Sequence, residues 1–272
     1  KYPTYASTAA RATINLLTGY QITEQLIVDG IDLSWVQITS ADSSVNINIS
    51  TYEQIYLAIL GANFEPVFAA MNGGKLPIIS IYCNCNFNIG STYKCFMMLI
   101  GAGSVGQIEG ANMGANNTVS KKGLGLAIYN GAEFSGPYSK IINFSSNLTT
   151  EHNTKTNLYS AIMTGGGQGA YLNEMCVANL SSVNFDGCNS AINAYDGCVI
   201  NARFATIDTP VSSNGFLCSS SNMNCRGASV DTPAVGYFGF NVGEGGVINA
   251  YNATGSLSKT ANIITSDGLI IQ

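Results

Sequence analysis

The sequence predicts an all-β chain, folded as a right-handed parallel β-helix with three short sheets in each coil of about 22–25 residues. Three observations carry this expectation. The stretches GCVINARFATIDTP (197–210), SNMNCRGASVDTP (221–233) and GGVINAYNATGSL (245–257) share a skeleton without sharing much identity. Asn179, Asn201, Asn224 and Asn249 follow one another at steps of 22, 23 and 25 residues by subtraction. That drift suits a solenoid whose loops vary in length. Within each unit the apolar period is two, with Ile200 and Ala202 set against Asn201 and Arg203, as in a strand.

The late part of the chain is the most regular. Behind the asparagines runs a small or apolar column, Leu180, Ala202, Cys225 and Ala250. Phe185, Ile207 and Val230 form another, followed by Asp186, Asp208 and Asp231. Ile192, Phe216, Phe240 and Ile264 repeat every 24 residues by subtraction, and Gly197, Gly245 and Gly268 mark corners. Because the pattern recurs in one direction, hairpins are excluded, and each turn must advance by one strand spacing, roughly 4.8 Å. The Leu-x-x-Leu-x-Leu signature of a leucine-rich repeat is absent, and a propeller blade needs about 40 residues.

Upstream the signal weakens. Leu124-Gly-Leu-Ala-Ile-Tyr-Asn-Gly and Ile141-Ile-Asn-Phe read as earlier coils, and the polar segment from Ser145 to Asn157 reads as a loop leaving the stack. Before Gly101, Ala12-Thr-Ile-Asn-Leu-Leu and the run from Glu24 to Ile38 read as strands, and Tyr52–Phe68 as a short helix or loop. The expected organisation is one continuous domain, with irregular leading coils over 1–100 and regular coils over 101–272.

Composition limits the function classes. Charged residues are 10% of the chain against 46% apolar, so it has much to bury and little to repel. With 11 Lys and Arg and a net charge of −5, no basic patch for nucleic acid or an anionic membrane can be assembled. The surface left over is rich in Asn, Ser, Thr and Tyr, which suits neutral, hydroxyl-rich ligands. The eight cysteines do not read as a zinc site, because Cys83-x-Cys85 has the wrong spacing and His152 is the single histidine. They read as mostly free, buried thiols of a chain assembled in a reducing cytosol, with no metal and no cofactor. No stretch reads as a signal peptide, transit peptide or membrane span, the longest apolar run being Cys95 to Ile100. The start at Lys1, without methionine, reads as a fragment of something longer.

The string IVDGIDLSWVQITSADSSVNI (27–47), followed by FEPVFAAMNGGKLPII (64–79), resembles the phage tail-spike and tail-fibre family. In that family a similar block precedes β-helix coils with degenerate GSTINA-like repeats, the role that GCVINA and GGVINA take here. The resemblance spans about Ala12 to Gln272 and includes the general organisation of heparosan-cleaving capsule lyases. It implies a homotrimer of side-by-side β-helices in the virion tail, assembled in the host cytoplasm, that binds or cleaves host cell-surface polysaccharide. No catalytic residue carries over, because the matching strings are structural.

The residues offer several candidate chemistries, each beside a plainer reading. Asn201, Asn224, Arg203, Arg226 and Tyr251 form an outward ladder with directional donors and a stacking face, fit for a sugar track. The plainer reading is a solvated or subunit-packed face whose asparagines bond along the stack. Asp186, Asp208 and Asp231 would stand about 5 Å apart on adjacent coils, the separation of a retaining glycosidase pair; Asp-Thr-Pro and Asp-Gly are also ordinary turn dipeptides. A lyase needs a base and a cation for the uronate. Glu151-His152-x-x-Lys155-x-x-x-Tyr159 gathers His152, Lys155 and Tyr159 in one polar segment, and Glu133, Tyr138 and Lys140 form a second group; either can be a bystander turn. Thr164-Gly-Gly-Gly-Gln-Gly lacks the Lys-Ser/Thr of a phosphate loop and reads as a corner or groove floor. Trp35 reads as core or as a subunit contact. Two functions remain open: a polysaccharide depolymerase and a non-enzymatic glycan-binding tip.

Overall fold

The structure, a computed structural model, describes residues 12–41, 45–58, 60–85, 87, 93–109, 112–115, 123–208, 214–231, 238–254, 263–264 and 267–271. Among these the chain is all-β, with strands stacked in parallel sheets in a β-helix-like fold. The first sheet has eleven strands, from Ala12–Leu16 to Leu269–Ile271, each pairing in parallel with the next coil's strand. The second also has eleven and includes Ala62–Met71, Tyr93–Ile100, Leu124–Tyr129, Ser146–Glu151 and Gln168–Asn173. The third is shorter, five strands ending at Lys140–Ile142, and isolated bridges through Ile162, Asn184 and Thr206 continue its line.

Coil length follows directly from the register. In the first sheet Glu133, Lys155, Val177 and Val199 pair in succession, three steps of 22 residues by subtraction. Asn222, Val247 and Leu269 follow at 23, 25 and 22. Earlier steps are longer: Gln37 pairs with Ile78 and Val105 with Glu133, steps of 41 and 28. The step of 41 holds an excursion. Ile55–Leu57 pairs antiparallel with Ala62–Met71, folding back over the outer face of the second sheet. Tyr52–Phe68 is therefore strand and hairpin where the sequence suggested a helix or loop. It buries Ile55, Leu57 and Phe64 with Leu124, Ala127 and Tyr129 in a small second core outside the coils.

The main core is the interior of the stack, filled by the inward half of each strand. Ile192, Phe216 and Phe240 lie in register and are fully buried, and the rings of Phe216 and Phe240 stack at 5.4 Å. The thread does not extend to Ile264, which pairs with Val242, two residues further on. At the corner leading into the first sheet the column is uniformly small: Ser104, Ala132, Thr154, Cys176, Cys198 and Ser221, each accepting the next coil's amide in turn. Only small side chains fit where the backbone bends into the interior. All eight cysteines are free and buried.

The segment from Ser145 to Asn157 is not a loop leaving the stack. It contributes Ser146–Glu151 to the second sheet and Lys155–Asn157 to the first. Several of its polar side chains are buried, Asn147, Thr150, Thr154 and Thr156 among them. Asn147, fully buried, donates Nδ2 to the Met163 carbonyl at 2.9 Å and accepts the Phe144 amide at 3.3 Å.

Candidate functional site

Five successive first-sheet strands end in an asparagine. Asn157, Asn179, Asn201, Asn224 and Asn249 pair in register from coil to coil. Asn179 Nδ2 donates to Asn157 Oδ1 at 2.9 Å, and Asn201 Nδ2 to Asn179 Oδ1 at 3.0 Å. The side-chain oxygens of Asn201, Asn224 and Asn249 accept the amide two residues on, those of Arg203 (3.4 Å), Arg226 (3.2 Å) and Tyr251 (3.2 Å). These are Asx turns, which set the corner and place residue i+2 outward. The side-chain amides of Asn179 and Asn201 are thus committed to the stack, and beyond the asparagines stand the corner residues.

Those groups form a ridge. The outward column reads Tyr159, Ser181, Arg203, Arg226 and Tyr251, and beside it runs a column that turns with positive φ, including Tyr138, Ser160, Ser182, Phe204 and Gly227. Tyr138 meets Tyr159 edge-on with ring centroids 5.6 Å apart. The Arg203 guanidinium lies 5.3 Å from the Phe204 ring and the Arg226 guanidinium 5.2 Å from the Tyr251 ring. At Gly227 (φ 68°) a Cβ would stand 2.7 Å from Phe204, so glycine there lets the ring lie flat over the next coil. Phe204 and Tyr138 remain exposed, at 52% and 66%. Next to the ridge a shallow groove of about 440 Å³ runs along the first sheet, floored by Val177, Val199, Asn179 and Asn201.

His152, Lys155 and Tyr159 are not brought together. His152 stands at the corner before the first-sheet strand, Lys155 on that strand and Tyr159 at the corner after it. Lys155 pairs with Glu133 at 2.9 Å, which raises its pKa. His152 Nδ1 contacts the Glu174 carboxylate, and its Nε2 is buried 4.0 Å from Glu151 with no hydrogen-bond partner among the described residues. The corner itself is unusual. Neighbouring coils turn here through Asn72-Gly73, Asn130-Gly131, Asp196-Gly197 and Glu244-Gly245, all with positive φ. His152-Asn153 and Glu174-Met175 hold the same conformation without glycine. Left-handed backbone costs a side-chain-bearing residue about 1–2 kcal/mol.

Asp186, Asp208 and Asp231 do line one corner. The Asp208 amide donates to Asp186 Oδ1 at 2.8 Å, and the charge of Asp186, then burial and Asp231, raises the Asp208 pKa. The Thr-Pro residues of both turns, 209–210 and 232–233, lie outside the described residues. Lys140 is exposed on the third sheet, away from the first-sheet pair Glu133 and Lys155. In the glycine run, Gly165 turns with φ 68°, and a Cβ on Gly167 would meet the Ser145 carbonyl at 2.5 Å, so the run packs against the coil before it. Trp35 is half-buried, with Nε1 donating to the Asp32 carbonyl at 3.1 Å. Among the described residues no group of three His, Cys, Asp or Glu could hold a metal ion.

Sequence reasoning missed Phe204, Glu174, Tyr171 and Gln168. Phe204 was readable as the neighbour of a corner arginine; Glu174 was readable as a break in an otherwise X-Gly corner column. Comparison of the chain with family models and with curated proteins finds no match to either.

Proposed function

We propose that this chain is a receptor-binding solenoid of the phage tail-spike kind, which holds host cell-surface polysaccharide (capsule or O-antigen) along the ridge of its first sheet. In this reading the coils are right-handed, three copies form a homotrimer, and the protein sits in the virion tail. The observation that carries it is the ridge itself: exposed Tyr138 and Tyr159, and further along Phe204, Arg226 and Tyr251, stand on one line of corners, with serines at the coils between. Aromatic faces stack on the apolar face of a pyranose, and arginine donates in a fixed fork. A polymer of repeating units suits a surface whose groups repeat at a fixed step. The tail-spike resemblance of 27–47 and 64–79 supports the same ligand class.

The experiment is retention of purified host capsule or lipopolysaccharide by the protein, read together with polymer length and the ultraviolet absorbance of an unsaturated uronate. Retention that falls at least tenfold in Arg226→Ala and Tyr251→Ala supports the ridge; unchanged retention in both removes it. Shortening with absorbance makes the protein a lyase, shortening without it a hydrolase, and retention alone the non-enzymatic tip. If cleavage is seen, Asp208→Asn with Asp231→Asn tests the aspartate column, and His152→Ala tests the histidine corner. Sedimentation equilibrium tests the trimer.

A further inference from the structure

The hairpin at Ile55–Leu57 and Ala62–Met71 does more than cover the outer face of the second sheet. Where its apolar packing stops, it leaves a cavity of about 440 Å³, walled on one side by Leu60, Ala62 and Phe64 and on the other by Tyr129, Thr149, Glu151, Gln168 and Tyr171. The register explains the change of chemistry across it. Along the outer face Ala69, Met98 and Ala127 pair in succession and give way to Thr149 and Tyr171, while Met71, Ile100 and Tyr129 give way to Glu151. One end of the cavity is therefore aromatic and dry, and the other presents a carboxyl, an amide and hydroxyls.

Several of those polar groups are uncommitted. Among the described residues the side chains of Glu151, Gln168 and Tyr171 make no hydrogen bond to the protein, although the Glu151 side chain is only 12% exposed. Just behind Glu151, at 4.0 Å, is the buried and unpartnered Nε2 of His152, whose other nitrogen is held by Glu174. Buried polar groups are ordinarily hydrogen-bonded, and the Glu151 carboxylate, with only His152 Nε2 near it at 4.0 Å, faces the cavity where a ligand can bond to it. The strained corner residues His152 and Glu174 occur at this level of the stack, where neighbouring coils use glycine. Tyr195 packs on Tyr171 with centroids 5.7 Å apart and fixes the plane of its ring.

We infer that this cavity is a second ligand site, separate from the ridge, which takes a single neutral, polyhydroxylated ring: a terminal or branch pyranose. The ring's apolar face lies on Tyr171 and Tyr129, and its hydroxyls bond to Glu151, Gln168 and Thr149. Among the described residues Glu151 is the sole charged one lining the cavity, so a uronate or another anionic sugar is rejected. Burial, followed by the Cys176 sulfur, pushes the Glu151 carboxyl up from its ordinary range. Tyr171 is pushed up too, by burial and then by Glu151, and stays a hydroxyl donor.

The test is saturation-transfer NMR on the whole chain with glucose, galactose, mannose and N-acetylglucosamine at millimolar concentration, and glucuronate as the charged comparison. At least one neutral sugar is expected to receive saturation, with glucuronate silent. Tyr171→Ala is expected to abolish the signal and Glu151→Gln, which keeps shape and fold, to weaken affinity about tenfold. The titrations are run in the Arg226→Ala/Tyr251→Ala background, which removes the ridge's own contribution, so the ridge and the cavity can fail independently. No transfer to any neutral sugar, equal transfer to glucuronate, or full binding in Glu151→Gln and Tyr171→Ala would overturn the inference.

Discussion

Asn201 donates its Nδ2 to Asn179 Oδ1 at 3.0 Å, one rung of a ladder that ties successive coils side chain to side chain. Asn201 also accepts the Arg203 amide at 3.4 Å, so one side chain serves both the stack and its own turn. Asn249 has the turn bond, at 3.2 Å, and no rung to a neighbour among the described residues. Replacing Asn201 with alanine is expected to cost about 1–2 kcal/mol, and replacing Asn249 less, because each net hydrogen bond contributes about 1 kcal/mol. Urea unfolding of the two variants checks the order; equal losses would dissolve the ladder as a stabilising device.

A glycine in the second sheet tests how tightly the interior is filled. A Cβ on Gly169 would meet Phe185 Cδ1 at 2.2 Å and the Ala191 carbonyl oxygen at 2.5 Å. The ring can shift but the neighbouring backbone cannot without breaking the ladder. Gly169→Ala should lose about 3 kcal/mol, seen as a lower denaturation midpoint with little change in slope.

The aspartate corner gives a pH dependence with a definite sign. Asp208 titrates above its ordinary range because Asp186, then burial and Asp231, disfavours its charge. An acid whose folded pKa exceeds its unfolded value penalises the folded state above that pKa, and the penalty fades as pH falls through the carboxylate range. Asp208→Asn should therefore melt at a higher temperature than the parent at neutral pH. The gap should close in mild acid and shrink with added salt. A gap that persists at low pH would assign the effect to something other than charge.

Thiol access is a direct probe of the stack. Burial raises the pKa of Cys218 to about 11 and pushes Cys95 and Cys225 up as well. With all eight thiols buried, the native protein should give almost no reaction with an aromatic disulfide reagent, and eight equivalents once unfolded. Rapid labelling of one or two thiols in the native state would identify coils that open locally.

The repeat was legible where inward packing and turn geometry dictate residue type. Asn179, Asn201, Asn224 and Asn249 stand in one register because the Asx turn at each of these coils uses that side chain. Ile264 misled because an apolar residue at an even offset reads the same on either of two inward rungs. The hairpin at Ile55–Met71 was missed because strands covered on both faces lose the alternation that marks a strand. Ser145–Asn157 misled for the opposite reason: polarity usually signals exposure, yet Asn147, Thr150, Thr154 and Thr156 are buried. The candidate site was legible only in part, since His152 stands out in any sequence but Glu151 and Tyr171 meet at the cavity only through pairing one coil apart.

The hairpin also changes how the stack comes apart. Coils that touch only their nearest neighbours behave as a one-dimensional chain and fray from either end. Ile55, Leu57 and Phe64 packing on Leu124 and Tyr129 join coils that are not adjacent. That clasp makes the leading part a single cooperative block, while the turns beyond it are free to unzip rung by rung from the far end.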